Sequence, residues 1–208
     1  YVALRKKALG VDELHMYDIY APMVSDVEME VTYEKAQEMM LAGLKPLGED
    51  YLSHVREALK SRWIDVYENK GKRSGAYSSG TYGTPPYILL NYTGKLNDLF
   101  TLTHEMGHSM HSYYSHQNQP YVYSDYTIFV AEVASTLNES LLNHYLLQET
   151  QDVRMKLYLL NHFLEGFRTT LYRQTMFAEF ELAIHEKAEA GEALTADLLS
   201  EMYYELNK

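Results

Sequence analysis

Apolar and polar positions alternate along the chain so as to give long helical stretches around one short extended run. Apolar residues recur at helical spacing over residues 33–44, with Thr32 placed as N-cap. They recur again over 47–61, where Leu52, Val55 and Leu59 share a face behind Pro46. Residues 69–75 and 78–83 have the glycine and polar content of loops. Residues 87–92 follow Pro85 and Pro86 and read as a strand. Prolines cannot donate to a ladder, so the expectation is an edge strand of a small sheet. The pattern is helical from about 95 to 116, and a second long helix is expected over about 126–147, started near Ser124 or Asp125. Residues 152–190 read as largely helical, with Gly166 as a break or a close packing contact, and Thr195 opens a last helix. The expected fold is mainly α, with a small β-sheet whose edge strand precedes the helix at 95–116.

Composition narrows the function. A chain of 208 residues fits a single domain. It begins at Tyr1 without a Met and reads as a piece of something longer. No run approaches the ~20 apolar residues that span a bilayer, so no membrane partner is expected. The formal net charge of −11 repels phosphate backbones and argues against nucleic acid. Cysteine is absent, which excludes disulfides and thiolate metal sites and agrees with a reducing compartment. A metal here must rest on the nine histidines and the carboxylates. The twenty tyrosines read as amphipathic core margin in preference to the lining of a peptide cleft.

The chemistry concentrates in His104-Glu105-Met106-Gly107-His108. Two histidines four residues apart on a helix lie about 40° apart in azimuth and one turn apart along the axis, so both imidazoles can reach one ion. Leu99, Leu102, Met106 and Met110 fall on the opposite side and can be buried. Glu105 sits beside the ion without binding it, placed to take a proton from a water and pass it to a leaving amine. Zinc makes this feasible by lowering the water pKa toward ~7. A hydrolytic site needs a third protein ligand. The metzincin spacing would require Gly and His where the chain has His111 and Tyr114, so that class fails. Glu132, in the next helix after a turn at 118–121, is the candidate. Flanked by Phe129, Val130, Val133 and Ala134, it would be costly to bury without a cation. Glu139, two turns on, could hold a ligand histidine, but a solvated carboxylate is the preferred reading. His111 is rejected as a ligand, because three histidines stacked on one helix span about 10 Å of axis; packing or substrate contact is expected of it.

With these residues on the page, His104–His111 followed by Phe129-Val-Ala-Glu-Val-Ala-Ser135 resembles the oligoendopeptidase F branch of the thimet-oligopeptidase superfamily. Ser74-Gly-Ala-Tyr-Ser78, Pro86-Tyr-Ile-Leu-Leu-Asn91 and Arg173-Gln-Thr-Met-Phe-Ala-Glu-Phe-Glu181 are similar to that branch in the same order. The resemblance implies a zincin-like helical catalytic core and a cytoplasmic zinc endopeptidase acting on short peptides. His104, His108 and Glu132 would be its metal ligands, with one Zn2+, and Glu105 its general base. It also implies that an edge strand at 87–92 pairs with the substrate backbone, so that Leu89→Pro raises KM. Family members carry a large N-terminal helical portion, and a C-terminal segment with a His and tyrosines that stabilise the tetrahedral intermediate. The chain therefore reads as a single partial catalytic domain, residues 1–208, lacking both. Each missing oxyanion donor costs ~10²–10³ in kcat, so the isolated piece is expected to bind zinc and hydrolyse peptides poorly. The competing readings are a catalytically impaired zinc- or peptide-binding fragment, a zinc carboxypeptidase of similar build, and a helical scaffold with an accidental motif.

Overall fold

A computed structural model describes residues 1–24 and 29–208, which form two compact units, one of residues 1–26 with 153–208 and one of residues 27–152. The second unit holds the motif. Its first helices are α2 (Tyr33–Gly43) and α3 (Gly48–Lys60), preceded in the other unit by α1 (Val2–Leu9). Thr32 caps α2 as expected, its hydroxyl accepting from the Lys35 N–H at 3.3 Å. Pro46 lies in a single 3-10 turn, Lys45–Leu47, that leads into α3.

Three short strands follow: β1 (Ile64–Asp65), β2 (Tyr77–Ser79) and β3 (Tyr87–Leu89). Their order is β1-β3-β2, with β3 parallel to β1 and antiparallel to β2. The strand after the two prolines is therefore the central one, not the expected edge. Pro85 and Pro86 lie ahead of the ladder and remove nothing from it, and the Ile88 and Leu90 N–H groups donate to Trp63 and Asp65 at 2.7 and 2.8 Å. The edge strand on the other side is β2.

The motif helix α4 (Leu96–Asn118) starts where Asp98 accepts from the Thr93 and Lys95 N–H groups at 2.8 and 3.0 Å. Leu99, Leu102, Met106 and Met110 are all buried, as are Ile88, Leu90, Val55 and Leu142. Burying each such side chain stabilises the fold by about 1.5–3 kcal/mol. The next helix, α5, runs Val133–Glu149 and begins seven residues later than expected. The β-branched and aromatic run Tyr126-Thr-Ile-Phe-Val130 is a poor helix former, and only a 3-10 turn, Ile128–Val130, forms there.

In the first unit, α6 (Val153–Gly166) passes through a π-helical turn, Phe167–Tyr172, into α7 (Arg173–Glu189), and α8 (Ala196–Leu206) is capped by Thr195. Gly166 neither breaks the helix nor makes a close contact, since nothing lies within 4 Å of a Cβ built there. The buried Arg5 pairs with Glu165 at 2.6 Å, and Arg168 meets the same carboxylate at 2.6 Å. No helix among the described residues is long and apolar enough to cross a membrane.

Candidate metal centre

Helices α4 and α5 lie antiparallel. Ser135 sits against Gly107, Asn138 donates to the Thr103 carbonyl at 3.3 Å, and Glu139 reaches His104, so later residues of α5 meet earlier residues of α4. The approach is close. A Cβ on Gly107 would stand 2.6 Å from the Ser135 Cα and 2.8 Å from the Ala134 carbonyl oxygen. Only glycine fits, and this contact brings the start of α5 to the motif.

Glu132 occupies the N-cap position of α5, and its carbonyl accepts from the Thr136 N–H at 3.0 Å. Its side chain points back over α4. Glu132 Oε2 is 3.3 Å from His104 Nε2 and 3.2 Å from His108 Nε2, and the two Nε2 atoms are 3.0 Å apart. Ser135 Oγ donates to the same Oε2 at 2.7 Å and fixes its rotamer. The geometry fits a small cation. Ligand atoms at ~2.0–2.1 Å on a tetrahedron stand about 3.3 Å from one another. Among the described residues, these three form the group whose ligand atoms lie within 4.8 Å of one another. The expected burial of Glu132 is corrected: its side chain is 64% exposed and Phe129 is 91% exposed, so its position comes from the α4–α5 contact and Ser135 rather than from an apolar pocket.

Glu139 also departs from expectation. Its Oε1 lies 2.6 Å from His104 Nδ1, so it is a partner of the imidazole and not a solvated carboxylate. Behind it the buried Asn138 exchanges hydrogen bonds with Tyr51 and fixes α5 on α4. His111 is no part of the cluster. Its ring stacks on Tyr126 at 3.6 Å between centroids, with 8° between planes, and Tyr126 hydroxyl lies 2.9 Å from Ser112 Oγ.

The charges in the site act on one another. Burial tends to lower the His104 pKa, but the hydrogen bond and charge of Glu139, with the charges of Glu105 and Glu132, turn the net shift upward. His108 shifts down, chiefly through burial, aided by His104 and opposed by Glu132. The Glu105 carboxyl, 7% exposed, is raised by burial and by repulsion from Glu132 and Glu139, against the pull of His104 and the Ser78 N–H. Glu105, His104, His108 and Glu132 line one cleft of about 340 Å³, together with Ala76, with Tyr77 and Ser78 of β2, and with Ser112 and Tyr126.

Gly107, Ser135 and Ser78 escaped the sequence reading. All three lie within the motifs that carry the resemblance, but nothing in one sequence joins a serine of the glycine-rich stretch to a helix glutamate 27 residues on. A model of Peptidase family M3 matches residues 1–208. The chain is similar to the oligopeptidase PepF of Bacillus subtilis, 62% identical over 208 residues that make up 100% of this chain and 31% of that protein. It is similar to an oligoendopeptidase F homolog of Lactococcus lactis, 51% identical over 100% of this chain and 34% of the homolog. The crystal structure of oligoendopeptidase-F from Enterococcus faecium matches with a TM-score of 0.62 at 38% identity, covering 100% of this chain and 29% of that one. The chain thus spans about a third of the length of the curated relatives it matches.

Proposed function

Because this chain belongs to peptidase family M3, we propose that it carries the metal ligands and general base of a zinc endopeptidase that cleaves internal bonds of short oligopeptides. The observation that carries this reading is the convergence of His104, His108 and Glu132 beside the buried carboxyl of Glu105. The resemblance of the chain to oligopeptidases supports the substrate class.

His104 and His108 would each offer an Nε2 lone pair and Glu132 an oxygen to one Zn2+, while Glu139 holds the Nδ1–H of His104 and thereby selects its tautomer. Zinc, when bound, supplies Lewis acidity to the scissile carbonyl and to a water molecule. Glu105 takes the proton of the attacking water and delivers it to the leaving nitrogen, a transfer suited to its raised pKa. The Ser78 N–H steadies the carboxylate between the two steps.

Binding of the peptide falls to β2 rather than to the strand expected from sequence. The Ile88 and Leu90 N–H groups face β1, so Tyr87 and Leu89 pair with β2, and Ser78, opposite Ile88, turns away from the sheet, its N–H to Glu105 and its carbonyl free to accept from a peptide. A peptide adding antiparallel along that edge lies across the cleft, held by main-chain bonds that ignore side-chain identity. Proline at Leu89 would remove a bond of the sheet itself and would report on folding instead of substrate pairing.

The test uses the full-length polypeptide that carries this chain. Glu105→Gln leaves every ligand in place, so zinc content by plasma emission stays at wild-type level while peptide turnover falls by about 10²–10⁴-fold. Wild-type turnover in that variant, or a wild-type protein that takes up no zinc, defeats the proposal.

A further inference from the structure

The metal cleft opens into a second cavity of about 300 Å³, and we propose that this cavity receives a cationic group of the peptide, a Lys or Arg side chain or the free N-terminal ammonium, on the N-terminal side of the scissile bond. The inference rests on the zinc endopeptidase reading above and deepens it.

Continuity comes first. Ser112 and Tyr126 line both spaces and form the sill between them, bonded to each other at 2.9 Å. The Tyr126 ring is held flat against His111, so the sill is a fixed surface. Above it runs the segment from Gly80 to Pro86. The Tyr82 ring packs against His116 at 5.4 Å and Tyr121 at 5.6 Å, and its hydroxyl donates to the Gln119 carbonyl at 3.1 Å. Gly80 leaves the roof thin, since a Cβ there would meet the Pro86 Cα at 3.2 Å. The cavity is thus built by elements pinned to one another.

Its lining holds one carboxylate, that of the exposed Asp125, beside the imidazole of His116. Asp125 lines it, and among the described residues no lysine or arginine pairs with that carboxylate. The last turn of α4, at His116, presents the helix's negative end to the same space. No lysine or arginine lines the cavity, and Thr84, Ser112 and Tyr126 add hydroxyl oxygens that can accept from an ammonium or guanidinium group.

Direction and distance follow from α4. Ser78 of β2 bonds Ser109 at 2.8 Å, and Tyr82, four residues on, packs against His116, seven residues on, so β2 and α4 run the same way. A peptide antiparallel to β2 therefore has its N-terminal residues over the cavity. Ser112 and His116 are four and eight residues beyond His108, about 6 and 12 Å along the helix axis at ~1.5 Å per residue. An extended peptide advances about 3.3 Å per residue, so the cationic group belongs to roughly the second to fourth residue ahead of the cleaved bond.

The experiment uses the full-length zinc-loaded enzyme and quenched fluorescent peptides of fixed length. Lys or Gln is placed in turn at the second, third and fourth positions on either side of the cleaved bond, with the N-terminus free or acetylated. The expected result is a Lys-over-Gln advantage in kcat/KM of about tenfold on the N-terminal side, the worth of one charge-assisted bond. Asp125→Asn brings that ratio to about one with zinc content retained, and Asp125→Glu restores it. A Lys-over-Gln advantage identifies the side chain as the group bound, whereas a free-over-acetylated advantage with a Lys-over-Gln ratio of one identifies the terminal ammonium. In the wild type, ratios of one both for Lys over Gln and for free over acetylated N-terminus overturn the inference while hydrolysis itself stands, as does an advantage untouched by Asp125→Asn or one on the C-terminal side. Loss of all hydrolysis and all zinc in the wild type would instead strike the parent reading, and this inference with it.

Discussion

His104 Nδ1 can only donate to the Glu139 carboxylate 2.6 Å away, so its Nε2 lone pair is left facing His108 and Glu132. Two different atoms of one ring are thereby assigned, one to the protein and one, in the proposed reading, to the ion. Glu139→Ala leaves all three ligands present but frees the ring to rotate and to swap tautomers. Zinc affinity is expected to fall by about 10–100-fold, read by competition against a chelator of known strength. Turnover per bound zinc should change far less, because Glu105 and the β2 edge stay in place and Glu139 is the smallest of the influences on the Glu105 carboxyl. An unaltered affinity would mean that the carboxylate merely lies near the ring. Ser135 does for Glu132 what Glu139 does for His104, and its short side chain allows α5 to sit close enough to do so.

At the scale of elements, the site is a consequence of how near α5 comes to α4. Gly107→Ala places a methyl 2.6 Å from the Ser135 Cα, an atom that cannot yield without moving the helix. Overpacking of this kind costs about 1–3 kcal/mol, and the displaced α5 carries Glu132 with it. Both stability and zinc affinity are therefore expected to fall. Gly43→Ala is the control, since its Cβ would meet the Leu142 Cα at 3.0 Å, deeper along α5 and away from the ligands. It should lower the thermal midpoint and leave zinc affinity near wild type. Equal losses of affinity in both variants would show that general destabilisation, not the position of Glu132, is being measured. These contacts also mark how far the sequence could be read. Helical spacing located α2, α3 and α4 within a few residues, and the four-residue histidine pair needed only the geometry of a helix. The start of α5 at Val133 did not show, because residues 126–132 keep an amphipathic pattern while their β-branched composition disfavours the helix. The central place of β3 was hidden too, as strand order belongs to three segments together and proline constrains only the strand it lies within. Glu139 was visible as a carboxylate, but only the antiparallel pairing of α4 and α5 turns it toward His104.

For the molecule as a whole, the tyrosines couple packing to pH. Several are margins of the core, as expected, while Tyr77 and Tyr126 face the metal cleft. Tyr51 is pushed up to about 12 by burial, against the bond from Asn138, and Tyr33 is pushed up to about 12 by burial with help from Tyr67 and Glu34. Tyr92 moves upward as well, through burial and then the charges of Asp98, Tyr67 and Glu34. The sign is that of a group whose folded pKa exceeds its unfolded one near 10. Stability from these phenols is complete below pH ~10, where both states hold the proton. It drains as pH climbs from ~10 toward ~12, because the unfolded chain releases protons that the folded chain must keep. Alkaline unfolding should accordingly steepen across that window, with tyrosinate absorbance rising together with the loss of helical circular dichroism. Tyr51→Phe removes one such proton. It also leaves Asn138 short of a partner, so the variant starts less stable, yet its stability should decline more gently with pH than the wild type's. The slope separates the two effects where the absolute stability cannot. An unchanged slope in Tyr51→Phe, or tyrosinate formation complete near pH ~10 with the helices intact, would show that these rings ionise in place and that their burial does not set the alkaline limit of the fold.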